Sequence, residues 1–181
     1  MYVKHAGVTL VPFHWGHAYT MDLREHDARY FRSVPNFRDM LRQYQETGNA
    51  KTAMVGGKIA CCFGYVELWR GVAEMWMLTT NHIETHPVAM TRGALRYINH
   101  IATEAKLKRL QITVDVTHVV AMRWADALKF NREGVLRHYG ADGADYMMFA
   151  RYFDGQLGSR TSTAATRSRA GRGAAEARGA D

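Results

Sequence analysis

KTAMVGGKIACCFGYVELWRGVAEMWMLTT (residues 51–80) decides the fold class, because two turn signals divide it into three consecutive strands. Gly56-Gly57 supplies the positive φ that a tight hairpin needs, and Arg70-Gly71 marks a second turn, so Thr52–Val55, Ile59–Leu68 and Val72–Thr80 read as an antiparallel meander. With Arg70-Gly71 as a two-residue turn, Trp69 pairs with Val72 and Glu67 falls opposite Glu74. Like charges directly opposite each other destabilise a strand pair. Three arrangements relieve the repulsion: a nearby cation, solvent at the rim of the sheet, or one proton held at a raised pKa, as a general base near neutrality requires. Met75, Trp76 and Met77 alternate along the third strand, so they pack on both of its faces, with Trp76 as a minor candidate for a cofactor contact.

Outward from this meander, Val8–Val11 reads as a strand, Trp15 to Arg32 as two short helical pieces, and FRDMLRQYQET after Pro35-Asn36 as a helix ending at Gly48-Asn49. Pro87 opens the best helix of the chain, whose face Val88, Thr91, Leu95, Ile98, Ala102 and Ala105 runs down to basic residues at Lys106–Arg109. Leu110 to Val116 alternates as a strand, Val120, Trp124 and Leu128 form a short helix, and Val135–Tyr139 and Tyr146–Tyr152 close the domain around a Gly140–Gly143 turn. The expectation is one α/β (α+β) domain over residues 1–153, a central, mostly antiparallel mixed sheet flanked by helices.

Composition bounds the function. The chain has 181 residues, 47% of them hydrophobic, and no apolar run of the ~20 residues that span a bilayer. The start MYVKHAGVTLVPFHWG lacks the apolar core of a signal peptide, so a cytoplasmic protein is expected. The only cysteines, Cys61 and Cys62, are adjacent in a strand and point to opposite faces, which suits small core residues rather than a disulfide or metal site. His82 and His86 flank Glu84, but Pro87 breaks the helical face that such a spacing needs, so no metal is expected. The net charge is +7, of which residues 1–153 carry the larger share. Residues 154–181 hold five arginines among Gly, Ala, Ser and Thr, a composition too poor in apolar surface to order itself. That tail is a candidate contact for nucleic acid, with general solubility as the plainer use of the charge.

The order of elements, and the closing stretch FNREGVLRHYGADGADYMMFARYF, resemble the GNAT superfamily of acetyltransferases over residues 1 to about 153. EMWMLTT, the Pro-led helix and a late Arg-Trp helix are similar to a phage-encoded GNAT-like group related to internal virion protein A of short-tailed phages. The resemblance implies acetyl-CoA or another acyl-CoA as co-substrate and an amine acceptor on a protein or small molecule. It places Leu78, Thr79 and Thr80 against the pantetheine arm and Arg92 near the pyrophosphate, with Glu74 as base tuned by Glu67. Three positions depart from the family pattern. The glycine-rich phosphate loop is replaced by NHIETHPVAMTRG, the expected Asn slot holds Val119, and the slot of a thiolate-protonating Tyr falls on Trp124-Ala125. Tyr139 and His138 are candidate substitutes, against a packing role for a tyrosine in a strand. The rival reading is a non-catalytic GNAT-fold phage protein used in virion assembly, DNA ejection or binding of a host protein or nucleic acid. In that setting the protein resides in the host cytoplasm or the virion.

Overall fold

The computed structural model describes residues 3–5 and 7–153. The tail expected beyond Phe153, residues 154–181, lies outside the described residues. The elements are β1 (Val3–His5), β2 (Val8–Pro12), α1 (His17–Thr20), α2 (Glu25–Ser33), α3 (Phe37–Glu46), β3 (Lys51–Val55), β4 (Lys58–Trp69), β5 (Val72–Thr79), α4 (Pro87–Glu104), β6 (Arg109–Asp115), α5 (Val119–Ala127), β7 (Asn131–Leu136) and β8 (Tyr146–Tyr152). A short 3-10 turn, Asn81–Thr85, joins β5 to α4. One sheet runs in the order β1-β2-β3-β4-β5-β6-β8-β7, antiparallel throughout except where β5 meets β6.

Alternation along the strands sorts the core into two layers. Cys62, Trp76 and Leu78 meet Phe13, Phe37 and Leu41 on the α1–α3 face. Cys61, Phe63, Met75 and Met77 meet Met90 on the other face, continuous with the cluster of Ala73, Ile98, Leu110 and Phe149 beneath α4 and α5. The expected two-sided packing of Met75, Trp76 and Met77 is found. Both cysteines are buried free thiols, and burial raises the pKa of each, that of Cys62 to about 11.

The turns match the sequence reading, with φ of 56° at Gly56, 78° at Gly57 and 80° at Gly71. Three details differ. β1 adds an antiparallel strand outside Val8–Pro12 that no sequence signal marked. β7 begins at Asn131 and ends at Leu136, so Tyr139 lies in the loop before β8 rather than in a strand. The third concerns the carboxylates. Trp69 pairs with Val72 as expected, but the register then shifts at Leu68, leaving Glu67 opposite Ala73 and Val66 opposite Glu74. A shift of one residue sends a side chain to the other face. Glu67 therefore shares the face of buried Ala73, and Glu74 shares that of Trp76 and Leu78. The two glutamates are not a cross-strand pair.

Gly64 pairs with Trp76 where the chain leading into β3 crosses close above it. A Cβ there would lie 2.9 Å from Ala50 Cα and 3.1 Å from the Asn49 carbonyl oxygen, backbone atoms with no room to yield. Gly64→Ala is expected to cost about 1–3 kcal/mol, the range of an overpacked core. Equal urea midpoints for variant and wild type would refute that close approach.

Candidate functional site

β5 and β6 run side by side for three residues only, Val72 with Arg109, Ala73 with Leu110 and Glu74 with Gln111. Beyond Glu74 they diverge, and a gap opens between two strand edges.

Backbone alternation decides which residues face that gap. Thr80 donates its N–H to Ala60 O at 2.9 Å, on the β4 side. Thr79 instead accepts from Arg24 N at 3.0 Å and donates its N–H to Asp27 Oδ2 at 3.0 Å, on the gap side. N–H and C=O of one residue point the same way and successive residues alternate. Met75 and Met77 thus share the direction of Thr79, whereas Leu78 and Thr80 turn their backbone toward β4. Of the three residues assigned to a pantetheine arm, only Thr79 faces the gap, and its groups are already engaged by the chain's own α2. Met77, which the sequence reading missed, presents its backbone there. The two-residue period counted from the Arg70-Gly71 turn carries that signal.

Helix α2 spans the divergence. Asp27 accepts from both the N–H and the hydroxyl of Thr79 on β5, while Arg29 pairs with Asp115 at the end of β6 and with Asp142 at 3.0 Å in the β7–β8 loop. Arg24, just before α2, reaches Glu84 at 2.8 Å in the loop where the GNAT resemblance expects phosphate. His26 stacks on His118, the residue that opens α5, with centroids 4.2 Å apart and planes 9° apart. His26 Nδ1 stands 3.9 Å from Asp115, and neither that atom nor His118 Nε2 has a hydrogen-bond partner among the described residues.

On the α2 side of the sheet, Glu74 is half-buried and accepts a hydrogen bond from Gln111 Nε2 at 3.2 Å. Three phenols feel its charge: Tyr30 on α2, Tyr44 on α3 and Tyr139 in the β7–β8 loop. Burial raises the pKa of each first, and Glu74 adds to the rise, taking Tyr44 to about 12. All three are neutral hydroxyls near pH 7. Tyr44 stacks on Trp76 with centroids 4.6 Å apart, and Tyr139 packs on Tyr146 at 5.6 Å.

The sequence candidates thus separate. Glu74 and Tyr139 come together; Glu67 lies exposed on the opposite face. Arg92 is exposed one turn into α4 and makes no ion pair among the described residues. Trp124 donates its indole N–H to Thr91 Oγ1 at 3.0 Å, tying α5 to α4. Among the described residues no group of three His, Cys, Asp or Glu is placed to hold a metal, and no helix is long and apolar enough to cross a membrane.

Solved acetyltransferase structures share this architecture. A GNAT-family acetyltransferase from Bacillus anthracis matches with a TM-score of 0.63 at 16% identity, over 84% of this chain and 98% of its own. The microcin C7 self-immunity acetyltransferase, solved with acetyl-CoA and AMP, matches with 0.63 at 15% identity, over 82% and 94%. The ribosomal L7/L12 alpha-N-protein acetyltransferase in complex with coenzyme A matches with 0.63 at 14% identity, over 85% and 99%. No protein-family model and no curated protein sequence matches the chain. At these identities the fold is shared: the chain has the GNAT architecture.

Two half-buried groups beside the gap, His118 and Asp27, impose opposite pH dependences. His118 has its pKa lowered from 6.5 to about 4, by burial first and then by His26 and Arg24. The unfolded chain therefore binds a proton that the fold refuses, so this contribution is complete above 6.5 and lost as pH falls toward 4. Asp27 has its carboxyl raised by burial, against the lowering effect of Thr79, Arg24 and His26. Its contribution is full below the ordinary carboxylate range and lost as pH rises through the raised value. Melting temperatures across pH 4 to 7 should show His118→Phe flattening the acid-side loss and Asp27→Asn gaining on wild type as pH rises, roughly in the windows set by those shifts. Parallel curves for all three proteins would refute both assignments.

Proposed function

We propose that the domain binds an acyl-CoA in the gap between β5 and β6 and catalyses transfer of its acyl group to an amine. The observation that carries this reading is the three-residue β5–β6 ladder, which leaves the backbone of Met77 facing an open edge beside the Glu74 carboxylate. An extended amide-bearing arm could pair with that edge as a strand would. Such an arm would pair with the backbone of Met75 and Met77; at Thr79 it would displace Asp27 and Arg24. The free N–H groups of the first turn of α4 and the guanidinium of Arg92 are the donors nearest to where its phosphates would lie.

The acyl-CoA would supply an activated thioester carbonyl: the C–N bond to the amine forms, the C–S bond breaks, and coenzyme A leaves as a thiolate that takes a proton to become the thiol. An amine attacks it only as the free base, so the ammonium proton must go first. Glu74, with Gln111 holding one of its oxygens, is the group that accepts it. Met77 and Glu74 lie within one strand of each other, so one element would fix both the co-substrate and the base.

Acetyl-CoA should raise the melting temperature of the full chain, since a ligand of the native state alone stabilises it by mass action. Glu74→Gln keeps the shape and removes the proton acceptor, so turnover should fall by roughly 10²–10⁴ with acetyl-CoA affinity little changed. Glu67→Gln, on the opposite face, should leave the rate as it is. No thermal shift at millimolar acetyl-CoA in a folded sample would overturn the reading.

One observation favours a second reading. Glu84 and Asp27 put carboxylates, paired with Arg24 and Thr79, where a phosphate and an arm would lie. A GNAT fold kept as a scaffold, as in the phage-encoded group that the sequence resembles, would need no cofactor there. Fold alone does not grant activity. The acetyl-CoA titration separates the two.

A further inference from the structure

We infer that the outer face of α4 and α5 binds the phosphate backbone of a nucleic-acid duplex, independently of any acyl-CoA in the gap. Two contacts set these helices side by side, on the face of the sheet opposite α1–α3. The Trp124 indole on α5 donates to Thr91 Oγ1 on α4 at 3.0 Å. Arg151 on β8 donates to Asn99 Oδ1 of α4 at 2.7 Å and to the carbonyl of Leu128, just past α5, at 3.3 Å. Ile98, Ala102, Ala125 and Leu128 share one core with Phe149, so the remaining sides of both helices turn outward.

Those outward positions carry cations. Arg92 and Arg96 are exposed one above the other on α4, about 6 Å apart along its axis. Arg123 on α5 and Lys129 just after it are exposed as well, and none of the four has an ion pair among the described residues. Arg151 is half-buried and bonds only uncharged oxygens. The carboxylates on α4 and α5 are Glu104 and Asp126, and Asp126 is taken by Arg132 at 2.6 Å. The other face of the sheet differs, since Arg24, Arg29 and Arg109 there each hold a carboxylate. The chain also leaves the domain beside this patch. Phe153 packs on the α4–α5 core, donates its N–H to Lys108 O at 3.1 Å and lies 5.3 Å from the Arg151 guanidinium. Residues 154–181, which follow it, carry five arginines against three acids. Guanidinium groups bind phosphates bidentately, and a field of them holds a backbone without reading its sequence. Surfaces for single strands add aromatic rings on which bases stack. The exposed aromatic residues among those described, Tyr19, Tyr30, Trp69, Tyr139 and Tyr152, belong to other elements, so the occupant is a duplex.

The test is fluorescence anisotropy of a labelled DNA duplex of about 20 base pairs with the full chain, between about 50 and 200 mM salt. Binding that weakens as salt rises is expected. The triple variant Arg96→Gln, Arg123→Gln, Lys129→Gln should lower the slope of log affinity against log salt by about 2–3 and weaken low-salt binding by roughly tenfold or more. Arg92 is left intact because it stands nearest the phosphates of the proposed acyl-CoA. Removing the same charge elsewhere, by Arg38→Gln, Arg42→Gln and Lys58→Gln, should leave both quantities close to wild type, and Arg96→Lys with Arg123→Lys should keep most of the slope. Unchanged melting profiles verify that each variant folds. Absence of duplex binding at low salt, or equal losses from the two triple variants, overturns the proposal. So does full binding by the α4–α5 variant when Gln at the five tail arginines abolishes it, which would give the duplex to the tail alone. Tighter binding to vesicles containing phosphatidylglycerol than to the duplex would make the face a membrane contact instead. Loss of the acetyl-CoA thermal shift in the α4–α5 variant would assign these cations to the co-substrate and also overturn it. Duplex binding with no acetyl-CoA shift in wild type upholds this face and removes the acyl-transfer reading.

Discussion

Everything at the site depends on the shortness of the parallel ladder between β5 and β6. After Glu74 and Gln111 each strand needs another partner for its inner edge, because a buried N–H or C=O left unpaired costs free energy comparable to a lost hydrogen bond. Helix α2 meets part of that need. Asp27 and Arg29, two positions apart, bind Thr79 on one strand and Asp115 on the other, so a single element holds both sides of the divergence. The same helix carries Tyr30 to the face of Glu74. Closing the gap and building the amine side are thus coupled through one short helix with no fully buried side chain of its own.

That coupling bears on how a co-substrate could enter. The arm proposed for the gap competes with Asp27 at Thr79, and Asp27 sits where burial already opposes its ionised form. Displacing it returns a carboxylate to water and leaves Thr79 free to pair with the arm. The exchange replaces one set of hydrogen bonds by another, so its net cost is small compared with the gross strength of either. Arg29 need not move with it, since its partners Asp115 and Asp142 belong to β6 and the β7–β8 loop. The β6 side can stay fixed while the β5 side opens.

Much of this fold was legible because its signals are local. Gly56-Gly57, Arg70-Gly71, Pro87 and the alternation of β6 and β8 each act within a few residues, and the structure follows them. The site was less legible because it depends on register. The bulge at Leu68 has no composition signal, yet it moves Glu67 to the opposite face and removes the pairing that first drew attention to Glu74. Glu74 keeps its interest for a different reason, its place at the last rung of the β5–β6 ladder with Gln111 on one oxygen. Tyr30 and Tyr44 are more than half the chain away from Tyr139, and no spacing rule connects them. The pairing of α2 with Thr79 is equally long-range, so Leu78 and Thr80 were indistinguishable from Met77 without counting backbone direction.

Charge distribution makes the same argument at larger scale. The chain is strongly basic, yet around the gap its arginines are spent on its own acids: Arg24 on Glu84, Arg29 on Asp115 and Asp142, Arg109 on Glu133 and Arg137 on Asp145. Pairs of this kind at the surface add little stability, with a median near zero to about 1 kcal/mol. Their effect is to remove cations from circulation. Arg132 and Asp126, both exposed, do likewise between β7 and α5. On the α2 side of the sheet the Glu74 carboxylate accepts from the Gln111 amide, whose oxygen in turn accepts from Arg109 Nε at 3.0 Å. Glu74 is thus joined to Arg109 through one amide rather than paired with it directly, which leaves a carboxylate oxygen as the proton acceptor that the proposed transfer requires.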